Sequence, residues 1–304
     1  MNQQAQPSTL RRLLDAPGAV FMPGCYDALS ARMIENAGFP AAAISGFALE
    51  AAHLGGPDIG LMTLTELVDQ ARRITDVVQI PVIADVDTGF GGIQNIHRTV
   101  RQAERAGLAG IHIEDQTLPK KCPLLPGRRV VSLAEAKDRY AVALEARRDR
   151  DFIIIARTDT DILGYDEQVL RANEYLAAGV DCVLPMMIEY DGQSFSAMNG
   201  DAQMKHIERI AGDIGGPVMF VGPPPKGYTA NDLASAGIKL ISHSAVTINA
   251  AATAIRTTLQ DLYETGDASR FFENNAHRLE AGPEMLKLMG VDFYLDLERR
   301  YTAS

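Results

Sequence analysis

Tryptophan is absent from this 304-residue sequence, and cysteine occurs three times, at Cys25, Cys122 and Cys182. Three scattered thiols build neither a disulfide framework nor a zinc cage, and an odd number suits a reducing compartment. Positive charge is also short: Lys and Arg total 29 against 39 Asp and Glu, a net charge of -10. A nucleic-acid or anionic-membrane partner would meet general repulsion, so neither is expected. No stretch reaches the roughly 18 uninterrupted apolar residues of a membrane span. The opening MNQQAQPSTLRRLL holds no apolar core of signal-peptide length. These absences predict a cytoplasmic protein. A Gly-rich phosphate turn after the first strand is missing too, because that turn reads PGCYDALSARM, which argues against a doubly wound dinucleotide fold.

What is present is a repeat of short apolar, β-branched runs, each closed by Gly, Asp or Ser and followed by a segment of helical period. The runs AVFMPG, AAAISG, PVIADVD, GIHIED, FIIIARTD, DCVLPM, PVMFVG and KLISHS give eight strand candidates. Between them NIHRTVRQAERAG places Ile96, Val100 and Ala103 on one helical face and stops at Gly107. Alternation of this kind makes parallel strands covered by helices. Eight such units in about 250 residues predict an α/β fold of the (β/α)8 barrel type. Residues 1–304 read as a single barrel domain without a linker, with extra C-terminal helices over about 261–304 whose apolar content suits packing on another surface, such as a second subunit.

In a parallel barrel the C-terminal strand ends form the catalytic face. Asp85, Asp87, Glu114, Asp115, Arg157, Asp159, Ser45 and Gly46 all fall there. Strand alternation points Asp85 and Asp87 the same way, with Val86 opposite. Like charges in a confined site need a cation or protons. Hard oxygen ligands without clustered histidines favour Mg²⁺, with Mn²⁺ as an alternative, over Zn²⁺. An isolated Asp at a βα turn is also a common helix N-cap, and for Asp115 and Asp159 that alternative stays open.

The motifs ADVDTGFG, GIHIEDQ, PKKC and IIARTD, in this order and spacing, resemble the isocitrate lyase and phosphoenolpyruvate mutase superfamily. The resemblance is strongest to its short branch of 2-methylisocitrate lyases, dimethylmalate lyases and carboxyphosphonoenolpyruvate mutases. It implies a barrel whose last helix is exchanged between subunits, usually in a homotetramer. It implies a Mg²⁺ site at Asp85, with Asp58, Asp87 and Glu114 holding the ion directly or through water. Ser45, Gly46 and Phe47 would donate to a substrate carboxylate that Arg157 clamps. The activity implied is retro-aldol cleavage of a 2-hydroxy di- or tricarboxylate to a 2-oxo acid and a second carboxylate.

Such a cleavage leaves an enolate-like fragment that needs a proton on carbon. Cys122 is the candidate donor, because Lys120 and Lys121 precede it and their charges are expected to lower its pKa. Lys121 is accordingly counted with Cys122 and Arg157 in the catalytic group, and in the resembled lyases a cysteine of this loop is the general acid. The stretch from about Thr117 to Val131 holds Pro119, Pro123, Pro126 and Gly127 and reads as an irregular lid. Cys25 and Cys182 lie in apolar runs and read as buried small hydrophobes. His112 is placed beside the substrate, more in a supporting than a reacting role. His243 ends the last strand, and His53, His97, His206 and His277 fall in helices or loops.

Four positions depart from the family pattern. Cys122 is followed by Pro123 and Leu124 rather than Gly and His. Pro185 is followed by Met186 and Met187 rather than a glutamate, with Glu189 further on as a substitute. The segment 219–227 reads MFVGPPPKG where an Asn and Glu motif is expected. Ala43 replaces an aromatic residue. Together they predict that the metal end is retained while the distal end of the pocket is apolar. A carboxyphosphonoenolpyruvate phosphonomutase or oxaloacetate hydrolase on the same scaffold is the enzymatic alternative. The simple phosphoenolpyruvate mutases carry asparagine at the position of Cys122. A non-catalytic binding protein is a third reading, which the acid in the lid argues against.

Overall fold

Every apolar run expected to be a strand is one. The computed structural model describes residues 6–190, 192–276 and 282–302. Helix α1 (Gln6–Asp15) precedes β1 (Val20–Cys25), α2 (Ala28–Asn36), β2 (Ala42–Ile44), α3 (Gly46–Leu54), α4 (Leu64–Thr75), β3 (Val82–Asp85), α5 (Ile93–Arg105) and β4 (Gly110–Glu114). Then follow α6 (Leu133–Ala146), β5 (Ile153–Thr158), α7 (Tyr165–Ala177), β6 (Cys182–Pro185) and a small antiparallel hairpin of β7 (Glu189–Tyr190) and β8 (Gln193–Ser194). The chain continues through α8 (Gly200–Asp213), β9 (Val218–Val221), α9 (Ala230–Ser235), β10 (Ile238–His243) and α10 (Val246–Thr265). The large strands close into a parallel barrel in the order β1-β10-β9-β6-β5-β4-β3-β2, which is the (β/α)8 architecture.

Side-chain alternation divides the core into two layers. Val20, Met22, Ala41, Ala43, Ile83, Ile153, Ile155, Cys182, Leu184, Met219 and Leu240 fill the barrel interior. Ile44, Val82, Ala84, Val86, Ile111, Ile113, Ile154, Ala156, Val183, Val218 and Ile241 face the helices, where they meet Ile96, Val100 and Ala103 of α5 and Leu67, Ala71 and Ile74 of α4. Leu10 and Leu14 of α1 join the interior layer at the end where the strands begin. Cys25 and Cys182 are fully buried, and burial pushes the Cys25 thiol up to about 12. Both are inert packing groups, as their apolar runs imply.

Helix α10 runs four residues past the expected boundary at Asp261 and ends at Gly266, whose φ of 71° forms a left-handed cap. Beyond it lie α11 (Ser269–Asn275), α12 (Pro283–Leu288) and α13 (Val291–Thr302). Arg32 of α2 ties α12 back to the barrel by donating to the Leu288 carbonyl at 3.2 Å. Ile255, Leu259, Phe272, Phe293 and Tyr294 on these helices are exposed. His277 lies outside the described residues. Among the described residues no helix is long and apolar enough to cross a membrane.

One glycine is fixed by packing between strands. A Cβ on Gly110 would stand 2.7 Å from the Ile153 carbonyl oxygen and 2.8 Å from the Ile153 Cβ, so β4 and β5 pair closely only because position 110 has no side chain. Gly110→Ala is expected to lower stability by about 1–3 kcal/mol through overpacking, read as a lower denaturant midpoint. An unchanged midpoint would contradict the close approach.

Candidate active site

Continuing the inward alternation of each strand past the interior layer gives the residues at its mouth. Ile83 leads to Asp85, Ile155 to Arg157, Ala43 to Ser45, Leu184 to Met186, Met219 to Val221 and Leu240 to Ser242, while β4 contributes His112 and Glu114. Around the barrel the charged and polar groups therefore fall on β2 to β5. The half formed by β6, β9 and β10 offers Met186, Val221 and one hydroxyl.

The charged half is a single cluster. Arg157 Nη2 lies 3.0 Å from Glu114 Oε2, Arg157 Nη1 lies 3.7 Å from Asp85 Oδ2, and His112 Nδ1 lies 3.5 Å from Asp85 Oδ1. Lys120 Nζ pairs with Asp58 and stands 2.7 Å from Asp87 Oδ1. Asp85, Asp87, Glu114 and Asp58 are thus linked through Arg157 and Lys120 in one network of ion pairs, and Val86 packs on the helix side. Asp87 sits at φ 49°, which lets its backbone N–H turn back to Asp85 Oδ1 at 3.1 Å.

Burial opposes the charge on Asp85, and the cations beside it outweigh burial and hold its pKa below the usual range. The lowering comes from His112 first and then from Arg157 and Lys120, while burial disfavours the protonated form of His112 itself. Burial, with Asp85 and Asp58 adding repulsion against the pull of Lys120, pushes Asp87 up to about 7. Burial raises Glu114 well above the ordinary range, and neither of its oxygens accepts a hydrogen bond.

This donor set fits a hard divalent cation. It consists of buried carboxylates, one of them without a hydrogen bond, and among the described residues no three His, Cys, Asp or Glu side chains converge as a direct ligand cage. A Mg²⁺ ion, which retains several waters and takes one or two carboxylates, suits it better than Zn²⁺.

Ser45 caps α3, its hydroxyl accepting from the Ala48 N–H at 3.3 Å. The start of that helix, Gly46 and Phe47, points orphan N–H groups and the positive dipole end at the mouth. A Cβ on Gly46 would lie 3.1 Å from Asp85 Oδ2, so the helix start abuts the acid directly. The Phe47 side chain is 38% exposed and offers only its backbone.

Two expectations about the lid are corrected. Lys121 does not enter the cluster: its ammonium donates to the Pro126 carbonyl at 3.0 Å. Lys120 is the inserted cation, because the extended segment alternates and turns residues 120 and 122 inward while 121 turns out. Nor is the Cys122 pKa lowered. Burial dominates, the Asp58 carboxylate adds to it, and the thiol is pushed up to about 11 with Lys120 a lesser opposing influence. The Cys122 N–H donates to the Asp58 carbonyl at 3.0 Å.

Asp115 is not part of the cluster. It accepts from Thr158 Oγ1 at 2.8 Å, Tyr175 OH at 2.8 Å and the Asp159 N–H at 3.0 Å. Asp159 makes no cap bond and instead takes Arg157 Nε at 2.9 Å and Nη2 at 3.1 Å. Glu189 is exposed on β7, while Met186 and Met187 are buried and Leu124 is 77% exposed.

Three contributors escaped the sequence. Glu50, buried on α3, accepts from the N–H groups of Ile59 at 3.2 Å, Leu61 at 3.1 Å and Met62 at 3.3 Å, and so shapes the loop carrying Asp58. Gln116 and Ser242 are buried polar groups whose only sequence signal is strand parity. Ser242 Oγ has no hydrogen-bond partner.

Residues 10–263 match the family model described as phosphoenolpyruvate phosphomutase. The chain belongs to this family, within the phosphoenolpyruvate mutase and isocitrate lyase superfamily. It is 44% identical over 189 residues to an isocitrate lyase of Haloferax volcanii, covering 61% of this chain and about half, 54%, of that protein. It is 35% identical to the chloroplastic carboxyvinyl-carboxyphosphonate phosphorylmutase of Arabidopsis thaliana, over 96% of this chain and 83% of the relative. The 2,3-dimethylmalate lyase of Eubacterium barkeri is 41% identical over 67% of this chain and 68% of its own length. Among solved structures, a phosphonopyruvate hydrolase complexed with oxalate and Mg²⁺ superimposes with a TM-score of 0.84 at 29% identity, over 99% of this chain and 100% of that one.

The two lysines differ in a way that stability reads directly. Lys120→Ala leaves Asp58 and Asp87 buried without their cation and is expected to cost on the order of 3–5 kcal/mol. Lys121→Ala should stay within about 0.5 kcal/mol. Added Mg²⁺ should restore part of the Lys120→Ala loss; denaturation midpoints with and without the ion measure both effects.

Proposed function

We propose that this protein is a Mg²⁺-dependent carbon-carbon lyase that cleaves a 2-hydroxy diacid bearing an alkyl or other uncharged distal group, giving a 2-oxo acid and a second carboxylate. The observation that carries this reading is the seating of the loop. Lys120 reaches Asp58 and Asp87, and the backbone of Cys122 rests on Asp58, so a thiol is brought to a mouth lined by acids. Lyases and mutases of one superfamily are the relatives it matches.

In this reading Asp85, Asp87, Glu114 and Asp58 hold the cation directly or through water, Mn²⁺ being able to substitute. When bound, the ion supplies positive charge that polarises the substrate carboxylate and its adjacent oxygen. Ser45 and the α3 N–H groups of Gly46 and Phe47 receive a carboxylate, as helix starts do. Arg157 clamps the substrate, with His112 packed beside Asp85. The substrate hydroxyl loses its proton to the facing carboxylates, its carbon becomes a carbonyl, and the bond to the next carbon breaks. The electron pair stays on the departing fragment, whose carbon takes the proton of Cys122 Sγ. A thiol that burial keeps protonated at neutral pH is suited to that donation, and the closed loop excludes water from the carbanion.

The apolar half of the mouth supports an uncharged distal group. A carboxylate against Met186 and Val221 would be buried without a partner, at a cost of several kcal/mol. A homo-oligomer in which a second copy covers the exposed apolar faces of α10 and α13, and a cytoplasmic location, complete the reading. The phosphonomutase alternative draws support from the length of the Arabidopsis match. It requires a product with a carbon-phosphorus bond, which phosphorus NMR detects.

A screen of 2- and 3-substituted malates, following 2-oxo acid release with and without chelator, tests the substrate class. Alkyl-substituted malates should turn over fastest and chelator should abolish the reaction, whereas faster turnover of (2R,3S)-2-methylisocitrate refutes the apolar distal end. Cys122→Ser should abolish cleavage, by 100-fold or more for a lost general acid (about 10²–10⁴), while oxalate and Mg²⁺ still bind in calorimetry. Unchanged turnover removes the proton-donor role.

A further inference from the structure

The lid leaves the barrel at Gln116 and returns at Val130, and these two residues form an isolated antiparallel bridge. The stem is closed by the Thr117 N–H donating to the Arg129 carbonyl at 2.8 Å, the Val131 N–H to the Asp115 carbonyl at 2.9 Å and Arg139 Nη1 to the Gln116 carbonyl at 2.9 Å. These contacts fix where the lid begins and ends. The tip between them carries Lys120 and Cys122, which are held by separate contacts to Asp58 and Asp87.

The Gln116 side chain, 1% exposed, joins the tip to the barrel. Its Oε1 accepts from the Lys121 N–H at 2.9 Å and its Nε2 donates to the Lys121 carbonyl at 3.0 Å. An amide is thus paired with both backbone groups of the residue between Lys120 and Cys122. The same Nε2 donates to Asp159 Oδ1 at 3.2 Å. Asp159 is the carboxylate that orients the Arg157 guanidinium from one side and takes Arg128 Nη1 from the far end of the lid at 3.0 Å. Arg128 is held in turn by Asp161 through two bonds of 2.7 and 2.9 Å.

We propose that Gln116 is a positioning residue that couples the seating of the lid to the orientation of Arg157. When residue 121 docks on the amide, Lys120 and Cys122 on either side of it are set over the acids. The amide nitrogen is then aimed at the carboxylate that holds the guanidinium. A side chain with a donor and an acceptor is needed at this position. The carboxylate introduced by Gln116→Glu would offer no donor to either the Lys121 carbonyl or Asp159, and would face the latter with like charge. Gln116 engages only the backbone of residue 121, so its hold does not depend on the lysine side chain.

This inference deepens the lyase reading, and its kinetic consequence rests on that reading; its structural consequence does not. Hydrogen exchange of the intact protein, free and with oxalate plus Mg²⁺, compares wild type with Gln116→Glu, which preserves volume, and Gln116→Ala. Exchange in residues 117–130 is expected to accelerate at least tenfold in both variants while peptides of β3 to β5 keep their protection. In turnover of the preferred malate, kcat should fall at least tenfold. Lid exchange equal to wild type in both states overturns the proposal, as does an equal loss of protection throughout the barrel, which would mark a merely structural role. If wild type cleaves none of the diacids while the lid of the variants still exchanges faster, the lyase reading fails and the seating of the lid by Gln116 stands.

Discussion

Four carboxylates share the mouth of a barrel whose interior is hydrocarbon, and their mutual repulsion is the constraint around which the rest is arranged. Arg157 enters from β5 and Lys120 from the loop of residues 117–130, so that part of the compensating charge comes from the barrel and part from outside it. The remaining imbalance appears as an Asp87 near 7 and a Glu114 pushed far from its usual ionisation. A fully paired set of ion pairs would show no such imbalance. Asp115, by contrast, is surrounded by hydroxyls and a backbone N–H, and its charge is spent inside the wall.

The two halves of the mouth divide the chemistry. Strands β2 to β5 end in groups that bind charge, and β6, β9 and β10 end in Met186, Val221 and Ser242. A molecule lying across the opening would meet electrostatic recognition at one end and hydrophobic contact at the other. A charge placed at Met186 alone would find no charged partner at Val221 of β9.

Much of this was legible in the sequence because strands have a period of two. The spacing from Ile83 to Asp85, or from Ile155 to Arg157, places the acid and the guanidinium in the mouth without any structure, and the eight apolar runs set the architecture. The lid was less legible. Lys120 and Lys121 are chemically alike, and which of them turns inward depends on the alternation of an irregular segment. The thiol misleads for a related reason: adjacent lysines in sequence imply a lowered pKa, but burial against Asp58 is tertiary and works in the opposite direction. Glu50 was invisible because its partners are backbone N–H groups nine to twelve residues away, and a buried acid leaves no pattern when its ligands are main chain.

Helix α1 gives the barrel a floor. With Leu10 and Leu14 packed into the interior layer, the end where the strands begin is closed by hydrocarbon, and the ion pairs of Asp85, Asp87, Glu114 and Arg157 stand at the opposite end. Anything that meets the acids of the mouth must therefore come from the side on which the loop of residues 117–130 lies.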